Sequence, residues 1–177
     1  MTRDQAAKVA PLDPGADAVA EIVNEHGRAM YRVAIAVVRD SALAEDVVQE
    51  ATITAWLKLD SFRGDGSFRG WLLRIVHNTA VSMVRSSRER PWDPEWIPPG
   101  TAPSAERQVV AAIELDAAIR TFARLDPLSR TIMALREGEG LTYDEIAEVL
   151  GVTIGQVKIR LLRARRRLAA AVERGEP

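Results

Sequence analysis

LTYDEIAEVLGVTIGQVKIRLLRARRRL, residues Leu141 to Leu168, is the stretch from which the rest of the chain is read. Its spacing predicts two short helices meeting at a tight turn. Thr142 is placed to cap the first helix, and Glu145 three residues on closes a capping box. Ile146, Ala147 and Leu150 then fall on one helical face. Gly151 stands where a helix ends in a left-handed residue that only glycine adopts without strain. Thr153 and Gln156 repeat the capping-box spacing, so a second helix starts almost at once. In it Val157, Leu161, Ala164 and Leu168 form an apolar stripe. Lys158, Arg160, Arg163, Arg165, Arg166 and Arg167 make the same helix strongly basic, with no acid among them. A helix, a tight turn and a cationic second helix is the form that enters a DNA major groove. Thr153 and Gln156 would set backbone donors near a phosphate. Gln156, Arg160, Arg163 and Arg167 share a face from which base edges or phosphates can be reached. The plain alternative is a solvated basic helix closing a bundle, against which stand two capping boxes flanking one glycine.

The 177 residues allow one domain or two small ones, and 47% apolar with 28% charged residues is ordinary for a globular chain. A formal net charge of −1 rules out a bulk polycation. The asymmetry is local: Glu137 to Glu148 holds five acids and no base, and Lys158 to Arg167 holds six bases and no acid. Such a patch on a near-neutral chain favours a placed contact over indiscriminate coating of nucleic acid. With no cysteine, disulfides, thiolate zinc sites and thiol redox sensing are excluded. The N-terminus lacks the apolar core of a signal peptide and no stretch is long enough to span a membrane, so a cytoplasmic protein without membrane insertion is expected.

Working outward, almost everything beyond a flexible tail (residues 1–16) reads as helix, and nothing shows sustained two-residue alternation. Val19, Ile22, Val23, Met30, Val33, Ala34 and Val37 recur at helical spacing from Asp17 to Val38. A second helix follows from about Ser41 to Leu59 on Ala44, Val47, Val48, Ala51, Ala55 and Leu59. A glycine-rich segment, SFRGDGSFRG, leads into a third helix from about Ser67 to Arg88, with Phe68, Trp71, Leu72, Ile75, Val76, Thr79, Ala80 and Met83 as its core face. Phe68 and Trp71 are read as core before stacking platforms, and His26 and His77 as lone histidines without a ligand role. RPWDPEWIPPGTAPS carries five of the nine prolines and marks a tether at 91–104. A fourth helix is expected over about Ala105 to Leu125. Asp126-Pro127 then opens a fifth, PLSRTIMALREG, with Leu128, Ile132, Met133 and Leu135 buried. The expected fold is all-α: a three-helix N-terminal domain (17–90) and a four-helix C-terminal domain with a helix-turn-helix (105–177).

AEDVVQEATITAWLKL and FRGDGSFRGWLLRIVHNTA in the first half, and LDPLSRTIMALREGEGLTYDEIAEVLGVTIGQVKIRLLRARRRL in the second, together resemble the extracytoplasmic-function sigma factors of bacteria, of the sigma-70 family. The resemblance runs from Ala18 to Val172 as two ordered motif blocks around a proline-rich linker. It implies a first domain that docks on the β′ coiled coil of core RNA polymerase and opens the −10 element. It implies a second that reads the −35 element beside the β subunit, with an anti-sigma factor as controlling partner. On the same footing, Asp46, Gln49, Glu50, Thr54 and Trp56 match the polymerase-docking helix. Phe62, Arg63, Asp65 and Ser67 match the loop that captures a flipped base, and Asn78, Arg85 and Arg88 suit the −10 strand. Thr153, Gln156, Lys158, Ile159, Arg160, Arg163 and Arg167 match the −35 reader. Acids and an amide on a helix face suit an arginine-rich partner, and extruding a base costs a few kcal/mol that a pocket must return.

The chain also departs from the family pattern. Ser82 stands where an aspartate is frequent, Gln156-Val157-Lys158-Ile159-Arg160 replaces the frequent Thr-Val-Lys-Ser-Arg, and Leu162 stands where histidine is common. The −35 sequence it reads is therefore left open. Two other classes compete with this one. An ordinary regulator could carry the same C-terminal helices, but the first half lacks the βα alternation of a receiver domain. An enzyme finds no support: two histidines, no glycine-rich phosphate loop and no metal-ligand spacing leave no cofactor, metal or small-molecule substrate to expect.

Overall fold

The computed structural model describes residues 16–62, 64, 66–86 and 115–174, the side chains of 16–18 and 174 excepted. The expected tail through residue 15, the tether at 91–104 and the first part of the fourth helix lie outside the described residues. Among the described residues every regular element is helical.

Helix α1 (Ala16–Val38) stops where Arg39 takes a left-handed φ of 63° and its N–H returns to the Ile35 carbonyl at 3.0 Å. Asp40 then caps α2 (Ser41–Leu57), its Oδ1 accepting from the Leu43 N–H at 2.7 Å. A short tight turn at Leu59–Ser61 follows α2, and α3 (Phe68–Ser86) closes the first domain. Met30, Val33, Val47, Ala51, Leu72 and Val76 are fully buried between the three helices. The stripes expected for α2 and α3 hold, with Leu73 added to the buried set; Val23, expected in the stripe of α1, is exposed.

Of α4 in the second domain, the described residues show 115–123. Asp126 caps α5 (Pro127–Met133), with Oδ1 accepting from the Ser129 N–H at 3.1 Å and proline at the first helical position. The single helix expected for PLSRTIMALREG is not continuous. After Met133 the backbone widens into a π turn, Ala134–Gly138, closed by Glu139 N–H to Ala134 O at 3.1 Å. Helices α6 (Tyr143–Leu150) and α7 (Ile154–Arg174) follow. Both expected capping boxes are formed: Thr142 with Glu145, and Thr153 with Gln156. Gly151 between them has φ 65°. Ile132, Leu135, Ile146, Val157, Leu161 and Ala164 make the core.

The two sets of helices share one continuous buried cluster, where the sequence pattern predicts two separate cores. The cause lies in α1. Residues Val33 to Val38 are all buried, so this end of the helix is apolar all round and needs covering on two sides. Helices α2 and α3 cover one side; α5 and the π turn cover the other, while α6 lies on α3. Arg130 of α5 is buried in that seam. Its Nε donates to the Ala36 carbonyl at 2.6 Å and its Nη2 to Val37 at 3.1 Å, while Nη1 serves Leu125 and Ala123. A cation at the carbonyl end of α1 suits the helix dipole. Burial, and then the nearby Arg39, lower its pKa to about 10, which still leaves it charged at neutral pH.

Arg130→Met should therefore cost at least about 2 kcal/mol of folding free energy, because buried carbonyls lose their donors while volume is roughly kept. Urea denaturation of the two proteins measures it, and a difference under about 0.5 kcal/mol, the scale of ordinary surface changes, would remove Arg130 from this role.

Candidate nucleic-acid interface

On α7 the apolar stripe faces inward as expected, and Gln156, Lys158, Ile159, Arg163 and Arg167 are exposed along the opposite side. Arg160, expected beside them, is half-buried instead: its Nη1 donates to Asp126 Oδ1 at 2.8 Å and reaches Ser129 Oγ at 3.4 Å. Burial works against ionised Asp126, but the Ser129 hydrogen bonds and Arg160 outweigh it and hold its carboxyl below the usual range. Arg165 donates to Glu137, and Lys158 lies 6.0 Å from the centre of the Tyr143 ring. Gln156 has its side-chain oxygen on the Thr153 N–H at 2.9 Å, so the residue expected to read bases also builds the helix start. Ile159 and Leu162 expose about half their surface, 52% and 50%, in the middle of the cationic face.

On α2, Asp46, Gln49 and Glu50 are exposed and Thr54 is half-buried. Trp56 is 40% exposed, and Ile53 and Leu57, which the sequence pattern does not single out, are 52% and 69% exposed. Their signal is present all the same: both are large apolar residues out of phase with the Ala44, Val47, Ala51, Ala55 stripe. An acidic strip edged by exposed aliphatic and aromatic area has the make-up of a protein-docking face.

Before α3 stands an aromatic cluster. The Phe62 ring meets Phe68 edge-on at 5.3 Å and Trp71 at 5.4 Å, and His26 lies 5.6 Å from Phe68. Phe68 is buried and Trp71 half-buried, so both are core as expected. Ser67 is exposed beside them, and its Oγ accepts from the Gly70 N–H at 3.4 Å. Asn78 and Arg85 are exposed on α3. Arg63, Asp65 and Arg88 lie outside the described residues. Sequence reasoning misses Arg69 and Arg74 of α3, which line the hollow next to Phe62 and Ser67. His77 is half-buried, and its Nδ1 has no hydrogen-bond partner among the described residues. No group of residues able to hold a metal ion occurs among the described residues, and no helix there is long and apolar enough to cross a membrane.

Comparison with known proteins falls on the same two halves. Residues 22–90 match the family model for sigma-70 region 2, and residues 115–168 match that for sigma-70 region 4. The RNA polymerase sigma-H factor of Pseudomonas aeruginosa is 35% identical over 77% of this chain and 76% of its own length. CnrH, an RNA polymerase sigma factor of Cupriavidus metallidurans, is 34% identical over 88% and 87%. The Escherichia coli ECF RNA polymerase sigma-E factor is 37% identical over 68% and 69%. Among solved structures, CnrH in complex with the cytosolic domain of CnrY superposes with a TM-score of 0.66 at 29% identity, covering 92% of both chains. The sigma factor RpoE in complex with the anti-sigma factor NepR, from Bartonella quintana, gives 0.66 at 26% identity over 86% and 97%.

Burial holds the pKa of both His77 and His26 below the ordinary 6.5, so the folded protein resists protonating them. Their contribution to stability is complete above about pH 6.5 and is lost as pH falls through that value toward the folded pKa. The urea midpoint should drop between about pH 7.5 and 5.5, and His77→Phe should lessen the drop. Equal pH slopes in the two proteins would show that His77 does not contribute.

Proposed function

Because the chain belongs to the sigma-70 family, as an extracytoplasmic-function RNA polymerase sigma factor, we propose that each exposed face described above serves one step of promoter engagement. Proteins of this family act in transcription initiation through RNA polymerase and promoter DNA. The first domain, 17–90, docks through Asp46, Gln49, Glu50, Thr54 and Trp56 on the β′ coiled coil of the core enzyme. Ile53 and Leu57 add apolar area to that contact. Phe62, Arg63, Asp65 and Ser67 receive a base extruded from the −10 element, and Asn78, Arg85 and Arg88 follow the strand. The second domain, 105–177, lies near the β subunit and places α7 in the −35 major groove. There Arg163 and Arg167, with Lys158, supply salt-dependent phosphate and base contacts, and Ile159 offers a surface for a thymine methyl. Thr153 and Gln156 start the helix at the groove, and Arg160 joins the contact by leaving Asp126.

The observation that carries this reading is the pairing on one chain of a capped, arginine-faced α7 with an α2 that exposes acids and Trp56 together. Tethering two promoter contacts raises the effective concentration of the second. The likeness to sigma factors solved with CnrY and with NepR supports an anti-sigma factor as controlling partner. The protein works in the cytoplasm and catalyses no reaction itself; polymerase makes the RNA.

Run-off transcription with purified core polymerase and a library of promoter duplexes tests this reading. Specific transcripts should appear only when the protein is added, and their upstream sequences give its −10 and −35 elements. Binding to duplex DNA without any directed start would overturn the docking role of α2. Once a promoter is in hand, Arg163→Ala should weaken binding to its −35 duplex by about 1–3 kcal/mol; unchanged affinity in a titration would take Arg163 out of the interface.

A further inference from the structure

At about 100° per residue along α7, Ile159 and Leu162 stand roughly opposite Val157, Leu161 and Ala164, the buried residues that pin the helix to its core. They form the crest of the exposed side. Arg163 and Arg167 line one flank of that crest, Lys158 and Arg165 the other, and Arg166 continues it one turn later, all five exposed. The polar groups able to read bases are largely committed elsewhere. The Gln156 side-chain oxygen accepts from the Thr153 N–H at 2.9 Å and from the Thr153 hydroxyl at 3.3 Å. An amide reads adenine with its oxygen and nitrogen together, and only the nitrogen is left. Arg160 is held by Asp126, and Arg165 by Glu137. Arg163 and Arg166 have no carboxylate partner among the described residues, but a guanidinium serves a phosphate as readily as a guanine.

Apolar contact is what the crest itself offers. Thymine is the base that presents an apolar group to the major groove, its 5-methyl. Three residues of helix span about 4.5 Å, a little more than the spacing of about 3.4 Å between base pairs, so the two side chains suit methyls on neighbouring pairs. Given the promoter-binding reading of α7, on which this depends, we infer that Ile159 and Leu162 set the sequence preference of the −35 contact by covering thymine methyl groups on adjacent A·T pairs, while the arginines supply affinity. The surrounding cations favour DNA over a protein as the covering surface, because a polyanion neutralises Lys158, Arg163, Arg166 and Arg167 as it meets the crest. Both apolar residues stand where the chain departs from the frequent family pattern, so the preference belongs to its own side chains.

The test takes a promoter obtained by run-off transcription and resynthesises it with deoxyuridine for the thymines of its −35 element alone. That deletes the 5-methyl groups and leaves the hydrogen-bonding edges unchanged. Core polymerase carrying the full-length wild-type protein should bind the uracil promoter about fourfold more weakly for each methyl that is covered, with a matching loss of transcripts. Ile159→Ser combined with Leu162→Ser should bind the thymine and uracil promoters equally and keep the wild-type salt dependence, since the cations remain. Its helical circular dichroism should match wild type, because both side chains are exposed. Arg163→Ala, by contrast, should weaken both promoters by the same factor and leave the thymine-to-uracil ratio intact. Equal wild-type affinity for the two promoters overturns the methyl contact and leaves the apolar pair to a protein partner. A −35 element without adjacent A·T pairs overturns it as well, as does a thymine-to-uracil ratio that survives in the double variant. If the thymine library yields no directed transcript at all, the sigma-factor reading itself fails and the methyl contact falls with it.

Discussion

Arg130 is the point on which the arrangement of the chain turns. A guanidinium has five donors in a fixed plane and cannot be buried without acceptors for them. Here the acceptors are backbone carbonyls from two places: the end of α1 in the first domain, and the α4–α5 connection in the second. Helix α1 ends at that spot because Arg39 turns left-handed, which leaves the Ala36 and Val37 carbonyls without helical partners. The buried cation thus completes a helix terminus of one domain from inside the other. Side chains alone could slide across such a seam, whereas hydrogen bonds to main-chain oxygens fix its register.

Electrostatics divides the second domain in the same spirit. Some of its acids are engaged with cations of other elements, while Asp144, Glu145 and Glu148 stay exposed. Glu137 holds Arg165, Asp126 holds Arg160, and Glu139 holds Arg32 and Arg69. One of these cations, Arg160, belongs to the face proposed to read the −35 element, so there the chain supplies a counterion of its own. The exposed pairs, Glu137 with Arg165 and Asp126 with Arg160, are worth little each, on the order of 1 kcal/mol or less, whereas Glu139 is fully buried between its two arginines.

Much of this is legible in the residues. Both capping boxes, the glycine between them and the stripe on α7 obey local rules, since each depends on groups within four residues of one another. The stripes of α2 and α3 are equally plain. The features that escape depend on distant partners. AIAVV at the end of α1 reads as one apolar face, although a run without a polar break already implies cover on two sides. Arg130 looks like any polar residue within a short helix, and Glu139, between two glycines, like a solvated loop acid; only the approach of α1 and α3 buries them. Arg160 shares a helical face with Arg163, and nothing local announces that Asp126, 34 residues earlier, holds it. Ile53 and Leu57 can be found by asking which large apolar residues the stripe of α2 leaves outside.

The π turn at Ala134–Gly138 sets the rotational phase of the chain beyond it. A helix advances by about 100° per residue, so one surplus residue rotates everything downstream by roughly that angle. Leu135 remains buried inside the turn, and yet Glu139 emerges toward Arg32 and Arg69. An unbroken α-helix through the same residues would have to choose between those two placements. The widened turn lets a single short segment answer to two different neighbours, its own core on one side and a foreign surface on the other. Length in this segment is therefore under tighter constraint than composition: the residues at its exposed positions can vary, but their number cannot.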